Sequence, residues 1–329
     1  MFFRLETDRT RTPLPLDGLY AAAPRSTCWI VGGGPSLTPA VVDAVAASPA
    51  PTFAVNLAGS RRLRPTFWTS YDATARFHRS TYQDAGTLKF LQSRRAMNVV
   101  PETTLKVCDM PGAVFFDTEP GRSYTDWLDP QRDRLVDWAD SLVQAIAIAV
   151  RLGFRRLLLV GCDLFVTPSD EMLALARRRQ VAYATGQRLV DFFAQCEAAG
   201  VDRAALERAA RPKLYHFDED KPLAATTRTD DHYDRVAQAL RLCRKSLATA
   251  GVELVSATLV SRLNDAFPVR DVASLVAELK AELGDRAAET ERGRYARDDA
   301  RLPKLLCPMK DVPPFVRAAD AESKPLAVA

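Results

Sequence analysis

Three consecutive glycines after the apolar run 28–31 are the clearest chemical signal in the chain. A turn without Cβ atoms lets a ligand approach backbone amides closely, and the helix that follows would point its positive end at the same spot. Ser36 or Thr38 would cap that helix, with Pro39 in its first turn. The sequence predicts a phosphate-binding turn here, the alternative being a tight turn that needs glycine for steric reasons alone. Its predicted ligand-binding residues are Gly32, Gly33, Gly34, Pro35 and Ser36.

Short polar side chains end several predicted strands. Asn56, Asp72 and Asp163 each follow an apolar run, and Ser141 begins an apolar helix. In open parallel sheets, ligands bind beyond the carboxyl ends of the strands, so we expect these four side chains to contact substrate. The amide of Asn56 suits a ribose or a base edge, and two aspartates could share a divalent cation if they converge. The alternatives are ordinary turn residues and helix caps.

Two of the three histidines, His216 and His232, flank one polar stretch. A neutral imidazole is a suitable base for deprotonating a hydroxyl, and we expect His232 to lie at the start of a helix. Tyr215 could donate a hydrogen bond to a departing phosphate. The competing interpretations are core residues for Tyr215 and His216 and an ordinary helix residue for His232.

Several familiar motifs are absent. The six cysteines have no C-x-x-C spacing, and neither a P-loop nor a Gly-x-Ser-x-Gly elbow occurs. Leu37 stands where the third glycine of a dinucleotide-binding fingerprint would be. A nicotinamide-dependent dehydrogenase is therefore excluded, and we interpret the cysteines as reduced core thiols.

Composition is that of an ordinary globular protein, with 329 residues, 47% hydrophobic and 26% charged. The longest apolar run, 142–150, is far shorter than the roughly 20 residues of a membrane span. Residues 1–6 lack the apolar region of a signal peptide, so a cytoplasmic protein is expected. The net charge of +4 neither requires nor excludes a polyanion, and the basic clusters 61–64, 94–95 and 177–179 could contact phosphate or simply face solvent.

Strands and helices alternate in the pattern of a doubly wound α/β sheet. We predict one catalytic domain over 1–283, a helical insertion at 169–211 that covers the site, and a loosely ordered tail over 284–329. The predicted strands are 28–31, 52–55, 66–71, 98–100, 113–116, 155–163, 213–217 and 252–255, and the main helices are 39–47, 140–152, 232–250 and 272–283.

A set of short motifs carries a family resemblance. Gly-Pro-Ser-Leu at 34–37, Gly-Cys-Asp at 161–163 and Tyr-x-Phe-Asp at 215–218, followed by a helix with His232, resemble the family 42 sialyltransferases. The set is also similar to the 6-hydroxymethylpterin pyrophosphokinase-like enzymes. The likeness covers discontinuous pieces of 28–268 and leaves the insertion out. It implies a variant Rossmann-like, glycosyltransferase A-like fold.

The sialyltransferase resemblance implies metal-free transfer of a sugar from a nucleotide-sugar donor to a hydroxyl. It assigns the nucleotide to the turn 32–37 and Asn56, the leaving phosphate to Tyr215, and the base to His232. The alternatives are a magnesium-dependent, pyrophosphokinase-like enzyme using Asp72 and Asp163, and a non-catalytic nucleotide-binding protein. A glycan or a hydroxylated nucleic acid could be the acceptor, and a homo-oligomer is open.

Overall fold

The computed structural model describes residues 1–21, 26–60, 62–121, 124–125, 127–210 and 223–284. Within these ranges the chain forms an α/β fold with one large sheet and a separate two-stranded one. The strands are β1 (Phe3–Leu5), β2 (Arg11–Pro13), β3 (Thr27–Val31), β4 (Thr52–Val55), β5 (Phe67–Thr69), β6 (Leu88–Gln92), β7 (Ala113–Phe116), β8 (Thr118–Pro120), β9 (Leu135–Asp137), β10 (Arg156–Val160) and β11 (Glu253–Ser256). The helices are α1 (Pro39–Ala46), α2 (Arg79–Gln83), α3 (Ser141–Arg151), α4 (Asp170–Arg177), α5 (Leu189–Ala198), α6 (Arg203–Ala209), α7 (Leu223–Leu242), α8 (Arg244–Thr249) and α9 (Val272–Leu283).

The large sheet is mostly parallel, in the order β11-β10-β3-β4-β5-β6-β7-β1-β2. Only β1 runs against its neighbours, pairing antiparallel with both β7 and β2. Every residue of β3 and β10 is buried, as expected for central strands covered on both faces. The chain builds outward from β3 to β7 and then returns to place β10 on the other side of β3. This reversal is a topological switch point, the usual ligand position in a Rossmann-like sheet.

Helices cover both faces of the sheet. Helix α3 packs on one face together with α7 and the phenylalanines of β4, β5 and β6. Helices α1 and α9 cover the other face, where Trp29 is fully buried. Among the described residues, no helix combines the length and the apolar character that crossing a membrane requires.

The stretch 169–211 contains helices α4, α5 and α6, which enclose an apolar cluster of their own. Met172, Phe192 and Phe193 are its largest buried members. The predicted strand 213–217 and the predicted tail, apart from Gly284, lie outside the described residues. The domain boundary near residue 283 stays a prediction.

Two strand predictions were wrong because burial does not follow apolarity alone. Strand β6 was missed since Lys89 interrupts its apolar run, yet Lys89 is fully buried. Its ammonium donates to the carbonyls of Thr87 at 3.0 Å and Pro111 at 2.7 Å, which offsets the desolvation. The strand predicted at 98–100 is reduced to one bridge between Val99 and Lys106, with Val99 largely exposed.

The start predicted for the helix at His232 was also wrong. Helix α7 begins at Leu223, so His232 lies inside the helix rather than at its N-terminus. The threonines before it are poor helix formers, but the hydroxyls of Thr227 and Thr229 donate to carbonyls four residues earlier. The helix dipole therefore does not act on His232 as a terminal charge would.

Candidate active site

The glycine turn is explained by the close approach of two backbones. The amide of Gly34 donates to the carbonyl of Gly161 at 2.8 Å, which joins the loops after β3 and β10. A Cβ on Gly32 would lie 2.6 Å from the Gly161 oxygen, and a Cβ on Gly34 would lie 2.8 Å from that same atom. Gly161 itself has a φ of 65°. Steric crowding and backbone conformation alone therefore require glycine at positions 32, 34 and 161.

The amides of this turn donate within the chain. Those of Gly32, Gly34 and Leu37 bond to backbone carbonyls, and the Ser36 amide donates to Asp163 Oδ1 at 3.3 Å. The Ser36 hydroxyl donates to Asp163 Oδ2 at 2.7 Å. The donors of Ser36 are therefore taken by Asp163, and phosphate binding at this turn stays a prediction. Burial raises the pKa of Asp163, while its hydrogen bonds from Ser36 oppose that rise.

Asn56, Ser70 and Ser141 form a hydrogen-bonded cluster beyond β4 and β5. The hydroxyls of Ser70 and Ser141 donate to Asn56 Oδ1 at 2.6 and 3.0 Å. Each hydroxyl in turn accepts a backbone amide, from Asp72 at 3.0 Å and from Tyr71 at 2.9 Å respectively. Because Oδ1 takes both hydroxyl protons, Nδ2 of Asn56 points away from the serines and is a donor for a ligand.

Asp140 and His232 form a carboxylate–imidazole pair. Nε2 of His232 lies 2.9 Å from Asp140 Oδ2, and Asp140 Oδ1 accepts the Val143 amide at 2.9 Å as the cap of α3. The Asp140 side chain is 12% exposed and that of His232 is 34% exposed. A carboxylate on one ring nitrogen places the proton of the neutral imidazole there and leaves Nδ1 to accept a proton.

An open pocket of about 340 Å³ has Asp137 and Ala139 in its wall, just before Asp140 in the sequence, and it is lined by neither Asp140 nor His232. Asp137 Oδ1 accepts the Ala139 amide at 2.9 Å, and Ala139 has a φ of 53°. This tight turn leads directly into Asp140, so the pocket wall and the imidazole's partner are one continuous segment. The other lining residues are Tyr71, Thr118, Pro120 and Gly121.

Backbone strain is concentrated at this edge of the sheet. Asn56 and Leu164, like Ala139, adopt the left-handed region, with φ values of 54° and 56°. Non-glycine residues in that region cost free energy and are often retained at functional sites. All three follow or precede elements whose ends meet at the carboxyl edge.

Asp72 and Asp163 have separate partners. Asp72 Oδ2 accepts from Arg76 at 2.8 Å, whereas Asp163 accepts from Ser36. In the part of the chain that the structure describes, no group of three or more His, Cys, Asp or Glu side chains has the arrangement of a metal site. Magnesium dependence stays a prediction that a chelator can test.

The predicted residues thus fall into two groups. Asn56, Asp72 and Ser141 share one hydrogen-bonded cluster, and Ser141 is adjacent in sequence to His232's partner. The turn residues and Asp163 form the second group, while Tyr215 and His216 lie outside the described residues. Asp140 was missed as a functional residue, although an aspartate before an apolar helix signals a cap.

Comparison of the chain with protein-family models, with curated proteins and with solved structures finds no match.

Proposed function

We propose that this protein transfers a sugar from a nucleotide-sugar donor to an acceptor hydroxyl, with His232 as the general base. The observation that carries the proposal is the 2.9 Å contact between His232 Nε2 and Asp140 Oδ2, directly beside the Asn56 cluster. A base held by a carboxylate, a free amide donor and an open pocket are close together in the fold.

In the proposed reaction, Nδ1 of His232 takes the proton of the acceptor hydroxyl. The acceptor oxygen forms a bond to the anomeric carbon while the bond from that carbon to the donor phosphate breaks. The electron pair of that bond leaves with the nucleotide phosphate. Asp140 keeps the imidazole oriented and offsets the charge that it gains.

Asn56 Nδ2 is the proposed donor to the nucleotide. Its strained backbone and its two serine partners hold the amide in one orientation, so little entropy is lost on binding. Contact of the glycine turn with the nucleotide is also part of the proposal, although Asp163 accepts from Ser36 there. Tyr215 keeps its predicted role on the leaving phosphate, His216 is the predicted further substrate-binding residue, and the glycosyltransferase A-like variant of the fold belongs to the same proposal.

The test is release of free nucleotide from CMP-, UDP- and GDP-sugars, in the presence of simple glycoside acceptors, with and without excess EDTA. We expect turnover of one donor class that EDTA leaves unchanged and that His232→Asn lowers at least about 100-fold. His78→Asn is the matched control, since His78 is an exposed histidine whose ring caps α2. Equal turnover in His232→Asn, or no release from any donor, would contradict the proposal.

A further inference from the structure

The basic clusters of this chain differ in whether their charges are neutralised. Arg62 pairs with Asp43 at 3.3 Å, and Arg64 pairs with Asp84. Both lie before β5, at the amino edge of the sheet and away from the candidate site. Arg94 and Arg95 instead follow β6 directly, at its carboxyl edge. No carboxylate in the described ranges of the chain forms an ion pair with either of them.

Arg95 is half-buried with an unsatisfied donor. Its Nη2 donates to the Tyr71 carbonyl at 3.3 Å, but its Nε is buried and has no hydrogen-bond partner among the described residues. A guanidinium has five N–H donors and stays charged, so leaving one buried donor unpaired costs free energy. An anion bound here would supply the missing acceptor.

Arg94, the preceding residue, also contacts Tyr71. Its guanidinium carbon lies 5.0 Å from the centre of the Tyr71 ring, and its Nε donates to Gln92. Tyr71 lines the open pocket, so this stacking places Arg94 against a residue of the pocket wall, although neither arginine lines the pocket itself. The amide of Tyr71 donates to Ser141, which donates to Asn56. Two hydrogen bonds therefore connect Tyr71 to Asn56, whose amide is the proposed hydrogen-bond donor to the nucleotide.

We infer that Arg94 and Arg95 bind a phosphate group, and that this site rather than the glycine turn holds the phosphate of the donor. The inference rests on the proposed function for the source of the phosphate. Planar guanidinium forks match phosphate oxygens in two-pronged contacts. Asp72 forms its ion pair with Arg76 rather than with either of the two arginines.

Calorimetric titration of the full chain with inorganic pyrophosphate, CMP, UDP and uridine tests this site. We expect the phosphate-bearing probes to bind and uridine to bind at least tenfold more weakly. Arg94→Gln and Arg95→Gln should each weaken the phosphate-bearing probes at least tenfold and reduce the salt dependence of binding. Arg62→Gln is the control, because Arg62 is paired with Asp43 and lies at the opposite edge of the sheet.

Three further readings make the result decisive. Arg94 is exposed, so Arg94→Gln should keep the wild-type melting temperature. The affinity of Arg95→Lys for pyrophosphate should lie between those of wild type and Arg95→Gln, because lysine keeps the charge but lacks the planar guanidinium fork. His232→Asn should bind pyrophosphate as wild type does, which separates this site from the base. Unchanged affinity in both glutamine variants, or no binding of pyrophosphate or nucleotide to wild type, would overturn the site. Tight binding of pyrophosphate, without binding of CMP or UDP that is stronger than that of uridine, would overturn the assignment of this phosphate to the donor nucleotide.

Discussion

Asp140 serves two partners with its two carboxylate oxygens. One oxygen caps α3 through the Val143 amide, and the other holds the imidazole of His232. The next residue, Ser141, contacts both Asn56 and Tyr71. The start of a single helix therefore positions the proposed base, His232, relative to Asn56, the proposed hydrogen-bond donor to the nucleotide.

Asp140→Asn separates these two tasks. Asparagine is as good a cap as aspartate, so the free energy of unfolding should change by less than about 1 kcal/mol. The amide cannot offset the positive charge of the imidazolium, and we expect turnover to fall by about 100-fold or more. Chemical denaturation and nucleotide release on the same sample measure both. Unchanged turnover in Asp140→Asn would mean that Asp140 acts as a cap alone.

Asp163 predicts a particular dependence of stability on pH. Its pKa in the folded chain is raised by burial above the ordinary 3.8, so the folded state binds this proton more tightly than the unfolded state. The contribution of this group to stability is therefore largest below pH 3.8 and falls as the pH rises through the folded pKa. Asp163→Asn keeps one oxygen that can accept from Ser36, and its stability relative to wild type should increase as the pH rises above 3.8, as pH-dependent denaturation would measure. A variant less stable than wild type by the same amount at every pH would contradict this.

The meeting of Asn56 and Ser141 was predictable from sequence, because Asn56 ends an apolar run and Ser141 begins an apolar helix at the carboxyl edge of a parallel sheet. The hydrogen-bond partner of Ser36 was not predictable. Its amide and hydroxyl are taken by Asp163, which lies far away in sequence and comes close only after β10 is placed beside β3. Arg95 was noted only as part of a basic cluster, and its missing partner is a property of the folded chain.

At the scale of elements, a buried ion pair fixes helix α7. Asp230 is fully buried and accepts from Arg262 at 3.0 Å, from the Val166 amide at 3.0 Å and from the Leu189 amide at 2.8 Å. It thus joins α7 to the loop after β10 and to the start of α5. His232 lies two residues later, roughly 200° around the helix, facing Asp140 instead. The pair therefore holds the face of α7 opposite to the proposed base.

Removing one partner of this pair should be costly. Arg262→Ala leaves Asp230 buried without its counter-charge, and we expect a loss of about 3–5 kcal/mol in the free energy of unfolding. Arg62→Ala removes the exposed pair with Asp43 and should cost less than about 1 kcal/mol. Urea denaturation compares them. Equal small losses in both variants would show that the buried pair does not fix α7.

Elements with a clear apolar pattern were predicted well, and those defined by tertiary contacts were not. Helices α3 and α9 begin or end at capping residues that the sequence displays, namely Asp140 and Gly284. The start of α7 was placed nine residues too late because threonines and charges obscure it. Strand β6 was missed because the acceptors of Lys89 include the Pro111 carbonyl, which comes close only in the folded chain.

At the scale of the whole molecule, the described residues form three apolar clusters. Two lie on the faces of the sheet, and the third lies among α4, α5 and α6. Tyr233 packs against both the third cluster and the face covered by α3. The insertion is therefore connected to the sheet through α7, the helix that carries His232. The parallel sheet and its switch point were predictable from alternating strands and helices, whereas these connections depend on packing.

We expect the insertion and the sheet to unfold together. Because α7 is shared by two clusters, loss of either should expose apolar surface on the other. Scanning calorimetry should give one transition with equal calorimetric and van't Hoff enthalpies. Tyr233→Ala should lower the melting temperature and broaden or split that transition. Two separate transitions in wild type would contradict the coupling.

The most direct test of the central claim is the protonation state of His232, read from nitrogen-15 shifts of the imidazole in the full chain, with His232→Asn used for assignment. The account predicts that neutral His232 carries its proton on Nε2, against Asp140, and that its Nδ1 signal shifts when the donor nucleotide sugar is added. A proton on Nδ1, or an Nδ1 signal that no nucleotide sugar moves, would contradict it.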